Sequence, residues 1–400
     1  MDSAAAMAVN SRAVPASGGF YEFFAGGGMA RAGLGPGWTC LFANDFDAAK
    51  ARAYQDNWGD AGELRIGDIR EIAASDLPGR ADLAWGSFPC QDLSLAGVGV
   101  GLNGRRSGTF HAFWDLMADL KGRAPRLVAL ENVCGALTSR GGADFSAICR
   151  AFAEHGYRLG PLVIDAARFV PQSRPRLFLI GVREDVEIDS SLISREPVDP
   201  FHTPALRRAV AALPADLRDG MIWWGTPAPA RRNQAFADLI ECDGPTWHSP
   251  AETARLLELM SDVNLEKVRT AERAGRRMVG GVYRRTRIDG RGRKAQRAEV
   301  RFDDMSGCLR TPAGGSSRQV ILVVDGPSVR SRLISARETA RLMGLPDDYK
   351  LPSGYSEAYH LTGDGVVVDV VRHLAAHLFE PLLRLSLKGK VETRLQGAPG

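Results

Sequence analysis

The chain has 400 residues, of which 44% are hydrophobic and 24% charged, a composition that suits one large globular domain and a second, smaller one. No apolar run approaches the roughly 20 residues that span a bilayer, and the Ala-rich start lacks the layout of a signal peptide, so we expect a cytoplasmic protein. The six cysteines form no Cys-x-x-Cys pair, which argues against a disulfide framework and a zinc knuckle, and we expect no bound metal.

The first half of the chain alternates strand-like apolar segments with helical ones. Strands are predicted at 19–24, 39–43, 81–85, 126–130, 157–165 and 176–182, and helices at 29–34, 110–121 and 145–155. This alternation predicts an α/β fold with a doubly wound, mostly parallel sheet that binds ligands at the carboxyl ends of its strands. A last helix at 366–383 is expected to return and pack against the first strands.

A glycine-rich turn follows the first strand, and an acid ends the second. Ala25-Gly26-Gly27-Gly28 lets a ligand approach the backbone, and Asp45 can accept hydrogen bonds from both hydroxyls of a ribose. Phe46 can pack on an adenine ring, and Asp68 can accept a hydrogen bond from an exocyclic amine. The pattern predicts a nucleoside-containing cofactor, either the dinucleotide of an oxidoreductase or S-adenosylmethionine.

Reactive residues stand at the ends of later strands. Cys90 lies on a proline-containing turn, Pro89-Cys90-Gln91, where free backbone donors favour a thiolate. Glu131-Asn132-Val133 ends another strand, and Gln172-Ser173-Arg174-Pro175-Arg176 begins one. A thiol with a carboxyl group and two guanidinium groups suits nucleophilic catalysis, whereas hydride transfer has no use for this set.

In this order and spacing, the motifs resemble those of the DNA cytosine-5 methyltransferase family, whether of restriction-modification or solitary type. The resemblance runs from the cofactor loop Phe24-Ala25-Gly26-Gly27-Gly28 to Gly363-Asp364-Gly365-Val366. It also includes 332–346 as the family's penultimate motif. Two residues depart from the family pattern, because Leu93 stands where Phe is usual and Asp364 where Asn is usual, beside the cofactor.

The resemblance implies a reaction on a cytosine flipped out of duplex DNA. Cys90 would add to carbon 6 while protonated Glu131 supports ring nitrogen 3, and carbon 5 would take the methyl group of S-adenosylmethionine, leaving S-adenosylhomocysteine. Arg176 would hold the target nucleotide, and Arg174 would support the thiolate loop. The cofactor contacts implied are Phe24, Gly26, Gly28, Asp45, Phe46, Asp68, Ile69, Pro89, Thr109, Asp364 and Val366.

The α/β rhythm stops over about 187–330, where we expect the family's target-recognition domain. Residues 267–301 carry 13 Lys or Arg against three acids, a net charge of about +10 that leaves about −6 for the rest of the chain. This segment predicts a polyanionic partner and mobile loops along a phosphate backbone. A glycine-rich basic lid at 95–107 is expected to close over the DNA. The expected DNA contacts are Gln91, Ser94, Arg105, Arg106, Gln172, Arg284, Arg285, Arg310, Arg318 and Gln319.

The predicted organisation is a catalytic domain of 18–186 and 331–388, a target-recognition domain of 187–330, and tails at 1–17 and 389–400. Duplex DNA is the expected partner of a monomer, and a cognate restriction endonuclease is left open. An RNA methyltransferase with the same cysteine chemistry is the second reading, which the long basic region disfavours. A DNA-binding module without activity is the third, and the complete set of Cys90, Glu131, Arg174 and Arg176 argues against it.

Overall fold

The computed structural model describes residues 18–88, 108–241, 246–288, 292–310 and 318–384. The expected nucleophile Cys90 lies outside these residues, as do Pro89, Gln91, Leu93, Ser94, Arg105, Arg106 and the rest of the predicted lid. The predicted roles of these residues stay predictions.

A seven-stranded sheet carries the predicted cofactor loop and acid motif. Its strands are β1 (Gly18–Phe23), β2 (Trp38–Asp45), β3 (Leu64–Ile66), β4 (Leu83–Gly86), β5 (Leu127–Val133), β6 (Tyr157–Asp165) and β7 (Pro175–Arg183). The strand order is β3-β2-β1-β4-β5-β7-β6. β7 runs antiparallel to both neighbours, and the other adjacent pairs from β3 to β5 are parallel. The predicted α/β class with a mostly parallel sheet is confirmed.

Helices cover both faces of this sheet. In chain order the helices are α1 (Met29–Leu34), α2 (Ala48–Trp58), α3 (Gly108–Asp119), α4 (Ala143–Glu154), α5 (Pro204–Ala211), α6 (Ala215–Arg218), α7 (Pro250–Glu258), α8 (Asp262–Arg273), α9 (Ala336–Leu342), α10 (Tyr355–Asp364) and α11 (Val368–Leu374). Because side chains alternate across a strand, Phe20 joins the core on one face and Tyr21 and Phe23 join the core on the other. Two apolar cores therefore lie against the sheet, as in a doubly wound fold.

The end of the described chain returns to its beginning, as predicted. α11 continues into a π-helical turn at Ala375–Phe379, and the Phe379 ring meets the rings of Trp38 and Trp85 edge-on, with centroids 6.5 Å apart in both pairs. α11 also lies directly against α1, where Gly33 leaves no space for a side chain. The cofactor loop that precedes α1 is consequently supported by residues more than 300 positions later.

A second sheet is built from the basic part of the chain. Its strands are β10 (Met278–Ile288), β11 (Lys294–Arg301), β12 (Val320–Asp325) and β13 (Ser328–Leu333), all antiparallel in the order β11-β10-β12-β13. The mobile loops predicted within 267–301 are wrong for the described part, which is the end of α8 and a β-hairpin. The reason is that Val282, Ala298 and Val300 pack with Val268 of α8 into one small core.

The part of the chain that connects β7 to β10 packs into the hydrophobic core of the first sheet. Trp224, in the short strand β9 (Trp223–Trp224) that pairs with β8 (Ile193–Ser194), is buried and donates a hydrogen bond from Nε1 to the Gly160 carbonyl at 3.0 Å. Phe201 and Phe236 join the same core. The predicted boundaries at 186/187 and 330/331 stay predictions, and the second falls inside β13.

Gly33→Ala tests the contact between α1 and α11. Alanine normally stabilises a helix relative to glycine, but here the new Cβ would lie 2.4 Å from the Val371 Cβ. We expect the overpacking to lower the free energy of unfolding by about 1–3 kcal/mol, measured by urea titration. Gly122→Ala, where a Cβ meets no atom within 4 Å, is the control and should leave stability nearly unchanged. Equal stability of the two variants would contradict the packing described.

Candidate active site at the carboxyl ends of the strands

The glycine loop after β1 is tied to the end of β2 by Asp45. The carboxylate accepts hydrogen bonds from the backbone N–H of Gly26 through Oδ2 and of Asp47 through Oδ1, both at 2.8 Å. Burial raises the pKa of Asp45, although these hydrogen bonds oppose the shift. Gly26 has a φ of 57°, and a Cβ there would meet open space, so the loop presents bare backbone to an open side.

The opposite side of the loop is closed by aromatic residues. The Gly27 carbonyl accepts hydrogen bonds from Tyr349 Oη at 2.7 Å and from Trp58 Nε1 at 3.0 Å. A Cβ at Gly27 would come within 2.2 Å of the Tyr349 hydroxyl, and one at Gly28 within 2.2 Å of Trp58 Nε1. The glycines are therefore required by close packing behind the loop as much as by the approach of a ligand in front of it.

Glu22 lies in this site and was missed at the sequence level. Its side chain is buried in β1, Oε1 accepts a hydrogen bond from the Arg31 N–H at 3.4 Å, and Oε2 has no partner among the described residues. Burial raises the pKa of Glu22 to about 8. A charged residue in the otherwise apolar run 19–24, two positions before the loop, was the signal that could have identified it.

Two large apolar side chains at the ends of β2 and β3 are exposed to solvent. Phe46 is 70% exposed and Ile66 is 45% exposed, and Ile66 pairs directly with Asp45 in the sheet. Large apolar side chains are usually covered, so an exposed pair beside Asp45 is consistent with a flat apolar ligand. Ile66 was not among the predicted contacts.

The other predicted cofactor residues surround the same edge of the sheet. Asp68 accepts hydrogen bonds from the Arg70 N–H and Nε, both at 2.9 Å, and this partner lowers its pKa. Ile69 and Val366 are buried, and Thr109 lies in the first turn of α3. Phe24 directly follows β1 with a φ of 58°. Their predicted contacts with a cofactor stay predictions.

Glu131 and Arg176 form an ion pair where β5 and β7 meet. In the antiparallel register Val133 lies opposite Arg176, which brings Arg176 Nε to 3.1 Å from Glu131 Oε1. Both side chains are largely buried, at 7% and 15% exposed. The two predicted catalytic residues are thus in direct contact, although 45 positions separate them in the sequence.

Arg174 is buried and holds three segments together. Its Nη1 donates to the Leu309 carbonyl at 2.8 Å, and its Nη2 donates to the carbonyls of Gly363 and Gly365 at 2.9 and 2.7 Å. The predicted support of the thiolate loop falls on residues outside the described ranges. What the structure shows is a guanidinium group that joins the arginine motif, the end of α10 and the segment after β11.

Cys308 places a second thiol beside the two arginines. Its Sγ lies 3.5 Å from Arg174 Nη1 and 3.9 Å from Arg176 Nη2. Burial raises the pKa of this thiol, but the guanidinium charges of Arg174 and Arg176 outweigh burial and hold the pKa below its ordinary value. In the sequence Cys308 lies two residues before Arg310, a predicted DNA contact, but nothing local reveals that Arg174 and Arg176 are its neighbours.

Two of the predicted DNA contacts, Gln172 and Gln319, are buried in this structure. Gln172 is completely buried, with its amide donating to the Leu342 carbonyl at 2.7 Å and accepting from the Leu309 N–H at 3.0 Å. Gln319 is also buried, and its Oε1 accepts a hydrogen bond from Ser306 Oγ at 3.1 Å. Gln172 joins the arginine motif to the segment after β11, whereas Gln319 Nε2 has no hydrogen-bond partner among the described residues. The contacts of both glutamines with DNA stay predictions.

The predicted arginine contacts are more accessible. Arg285 and Arg310 are exposed, and Arg284 and Arg318 are half-buried. Arg318 lies over the Tyr355 ring and donates to Ser356 Oγ at 2.5 Å. Their contacts with DNA stay predictions.

Neither a membrane-spanning helix nor a cluster of metal ligands occurs among the described residues. Within 18–88, 108–241, 246–288, 292–310 and 318–384, no helix is both long and apolar enough to cross a membrane. Over the same ranges no cluster of three or more His, Cys, Asp or Glu side chains is placed to hold a metal ion.

Comparison with solved structures identifies the class of fold. The Entamoeba histolytica methyltransferase EhMeth aligns with 91% of this chain and 98% of its own, at a TM-score of 0.59 and 14% identity. The S. pombe Dnmt2 methyltransferase aligns with 91% of this chain and 99% of its own, at a TM-score of 0.55 and 17% identity. At these identities the likeness is one of fold, and the fold is that of a methyltransferase.

The chain belongs to the C-5 cytosine-specific DNA methylase family, whose model matches residues 19–380. It is 24% identical to the Type II methyltransferase M.HhaI of Haemophilus parahaemolyticus, over 90% of this chain and 93% of the relative. It is 27% identical to M.HpaII of Haemophilus parainfluenzae, over 91% of this chain and 89% of the relative. The resemblance inferred from the motifs is confirmed, and the protein is a member of an enzyme family.

Glu22→Gln tests the buried carboxyl under the glycine loop. Because the pKa in the folded protein, about 8, lies above the ordinary 4.5, the stability that protonated Glu22 contributes is complete below about pH 4.5 and is lost as pH rises through about 8. We expect the parent protein to lose stability between pH 5 and pH 8 relative to the variant, measured by urea unfolding without cofactor. Parallel stability profiles of the two proteins would contradict the burial of this group.

Proposed function

We propose that the protein transfers a methyl group from S-adenosylmethionine to carbon 5 of a cytosine in a specific duplex DNA sequence, through a covalent adduct with Cys90. The observation that carries this proposal is the buried Glu131–Arg176 pair beside Arg174, whose Nη1 donates a hydrogen bond to the Leu309 carbonyl. Membership in the cytosine-specific family supports it.

The charges and shape of the loop side of the site fit S-adenosylmethionine. The cofactor carries an ammonium and a sulfonium group, and the site offers the carboxyl groups of Glu22 and Asp45, the first with an oxygen that has no partner among the described residues. Exposed Phe46 and Ile66 suit the adenine, and the open side of Gly26 leaves room beside the backbone. When bound, the cofactor would supply an activated methyl group.

Glu131 would act on the cytosine edge through a change of partner. In the structure its carboxylate is paired with the Arg176 guanidinium. When the base is bound, Arg176 would turn to the nucleotide, and protonated Glu131 would support ring nitrogen 3. Withdrawal of electrons at nitrogen 3 would make carbon 6 electrophilic. Addition of the Cys90 thiolate to carbon 6 would then collect electron density at carbon 5.

Access to carbon 5 would require base flipping. The reacting atoms of a cytosine are stacked inside a duplex, and extrusion of the base costs a few kcal/mol. The buried pair of Glu131 and Arg176 cannot reach a stacked base, so the base must enter the site. Loss of the carbon 5 proton and expulsion of Cys90 would then release 5-methylcytosine and S-adenosylhomocysteine.

Bisulfite sequencing tests the reaction and the identity of the nucleophile. Plasmid DNA from a methylation-free bacterial host that expresses the chain should show a recurrent protected cytosine, and this protection should be absent with Cys90→Ala. Cys308→Ser is the matched control, because Cys308 is the thiol that the structure places beside Arg174 and Arg176. We expect Cys308→Ser to retain protection.

Three other results would change the proposal. Protection that survives Cys90→Ala and is lost in Cys308→Ser would assign the nucleophile to Cys308. Unprotected plasmid from a well-expressed, folded protein would contradict methylation of the sequences that the plasmid contains. Methylation of transfer RNA by the same preparation would then favour the RNA reading.

DNA would bind along the outer part of the β10–β11 hairpin, residues 283–288 and 294–299, here called the basic ribbon. β12 pairs with β10 only over Met278–Val282, so the ribbon extends beyond the sheet as two strands. Arg285 and Arg297 are direct cross-strand partners, and both are exposed. Glu299 lies 3.6 Å from Arg285 but also pairs with Arg287, so the ribbon keeps an excess of positive charge that favours an anionic partner. A two-stranded ribbon fits a major groove about 12 Å wide.

Arg285→Gln with Arg297→Gln tests the basic ribbon. If both side chains contact phosphates, the double variant should bind duplex DNA more weakly, and the slope of log affinity against log salt should fall by about 2. Arg269→Gln with Arg273→Gln on α8 removes the same charge from a face where both arginines pair with Glu266, and is the control. Fluorescence anisotropy over a salt series measures both, and equal slopes for the two double variants would exclude the ribbon as the contact.

The cellular setting follows from this reaction. We propose that the protein works as a monomer on cytoplasmic, nucleoid DNA of a bacterium. The names of its relatives, Type II methyltransferases, support a part in restriction-modification, with or without a cognate endonuclease.

A further inference from the structure

We propose that Lys50 and Asp364 form an ion pair that positions the cofactor, with Lys50 neutralising the carboxylate that stands where the family usually has Asn. This inference rests on the proposed use of S-adenosylmethionine. It concerns two residues that come from opposite ends of the chain and meet beside the glycine loop.

The position of Asp364 is set by its two glycine neighbours. Arg174 donates hydrogen bonds to the carbonyls of Gly363 and Gly365, and a Cβ at Gly365 would lie 2.2 Å from Met29 Sδ. Met29 is the first residue of α1 and directly follows the glycine loop. Asp364 is therefore held at the end of α10, next to the backbone that the cofactor is expected to contact.

Lys50 reaches Asp364 from the other side of the site. It lies in the first turn of α2, where Asp47 caps the helix by accepting hydrogen bonds from the Ala49 and Lys50 N–H groups. The Lys50 Nζ is 2.7 Å from Asp364 Oδ2. α2 begins just after Asp45 and Phe46, so the pair connects the ribose end of the site to the end of α10.

The Lys50 ammonium group remains protonated because of its surroundings. Burial lowers the pKa of the Lys50 ammonium group, but the carboxylates of Asp364, Asp45 and Asp47 outweigh burial and raise it above its ordinary value. Lys50 is 19% exposed and Asp364 is 36% exposed, so solvent screens the pair only in part. Lys50 is thus a cation among several carboxyl groups.

The charge balance explains why the cation matters for the cofactor. Glu22, Asp45, Asp47 and Asp364 all lie around the loop, and S-adenosylmethionine carries a carboxylate of its own in addition to its two positive groups. A neutral Asn at 364 would add no charge, whereas Asp364 without Lys50 would repel that carboxylate. Lys50 removes the repulsion and holds the 363–365 turn in place, so both residues act as positioning residues.

A double-mutant cycle tests the pair through binding, without catalysis. The affinity for S-adenosylhomocysteine, which has no sulfonium charge, is measured by titration calorimetry on Lys50→Met, on Asp364→Asn and on the double variant. We expect Lys50→Met to weaken binding about threefold to tenfold, as expected for loss of a partly exposed ion pair. The double variant should recover to within about twofold of the parent protein, because no uncompensated charge remains. Lys50→Arg should bind like the parent, because it keeps the cation.

Controls separate a cofactor role from a structural one. Arg150→Met removes an ion pair with Asp216 between α4 and α6, away from the loop, and should leave the affinity unchanged. Thermal unfolding of each variant without ligand reports the contribution of the pair to stability. A lower melting temperature for Lys50→Met with unchanged affinity would overturn the inference and leave the pair a purely structural contact.

Binding of S-adenosylhomocysteine by the parent protein distinguishes a failure of this inference from a failure of the proposed function. If the parent binds S-adenosylhomocysteine and protects plasmid DNA, equal affinities of the parent and Lys50→Met overturn the inference alone. If the parent shows no heat of binding with S-adenosylhomocysteine, the proposed cofactor is wrong and the inference is overturned with it.

Discussion

The buried guanidinium group of Arg174 is the constraint on which the arrangement of the site depends. It is 2% exposed, and burial together with the charge of Arg176 lowers its pKa. A desolvated cation is costly unless its donors are paired, and here three backbone carbonyls, at Leu309, Gly363 and Gly365, accept from it. The segment after β11, the end of α10 and the arginine motif must therefore come together for Nη1 and Nη2 of this residue to be paired, while its Nε has no partner among the described residues.

This constraint also organises the charges around the site. Arg174 and Arg176 face Cys308 and Glu131 on one side, where the two guanidinium charges favour anionic groups such as a thiolate. Glu22, Asp45 and Asp364 lie on the loop side, which suits a ligand with positive groups. The basic ribbon lies on the second sheet, where a polyanion would be attracted. The seven-stranded sheet and the second sheet thus hold these three chemical environments in separate places.

The local elements were largely accessible to sequence reasoning. α1 at 29–34 and β6 at 157–165 have the predicted bounds, and the other strands of the first sheet shift by a few residues, because apolar periodicity and glycine breaks are local signals. The basic stretch was misread as mobile loops because its many arginines obscured the alternating valines that pack on α8. The burial of Gln172 and Gln319 was not foreseen, because a polar residue in a motif says nothing about whether its amide points to solvent or to another segment.

The sequence by itself determined the fold class, the family and the types of residue at the site, because these depend on local periodicity and on motifs a few residues long. Only the tertiary structure decided which groups meet: Glu131 with Arg176, Cys308 with both arginines, and Lys50 with Asp364 across 314 positions. The tertiary structure also decided that Glu22, Gln172 and Gln319 are buried. The physical reason is that ion pairing, desolvation and exposure depend on distances between segments far apart in the chain, which no local pattern specifies.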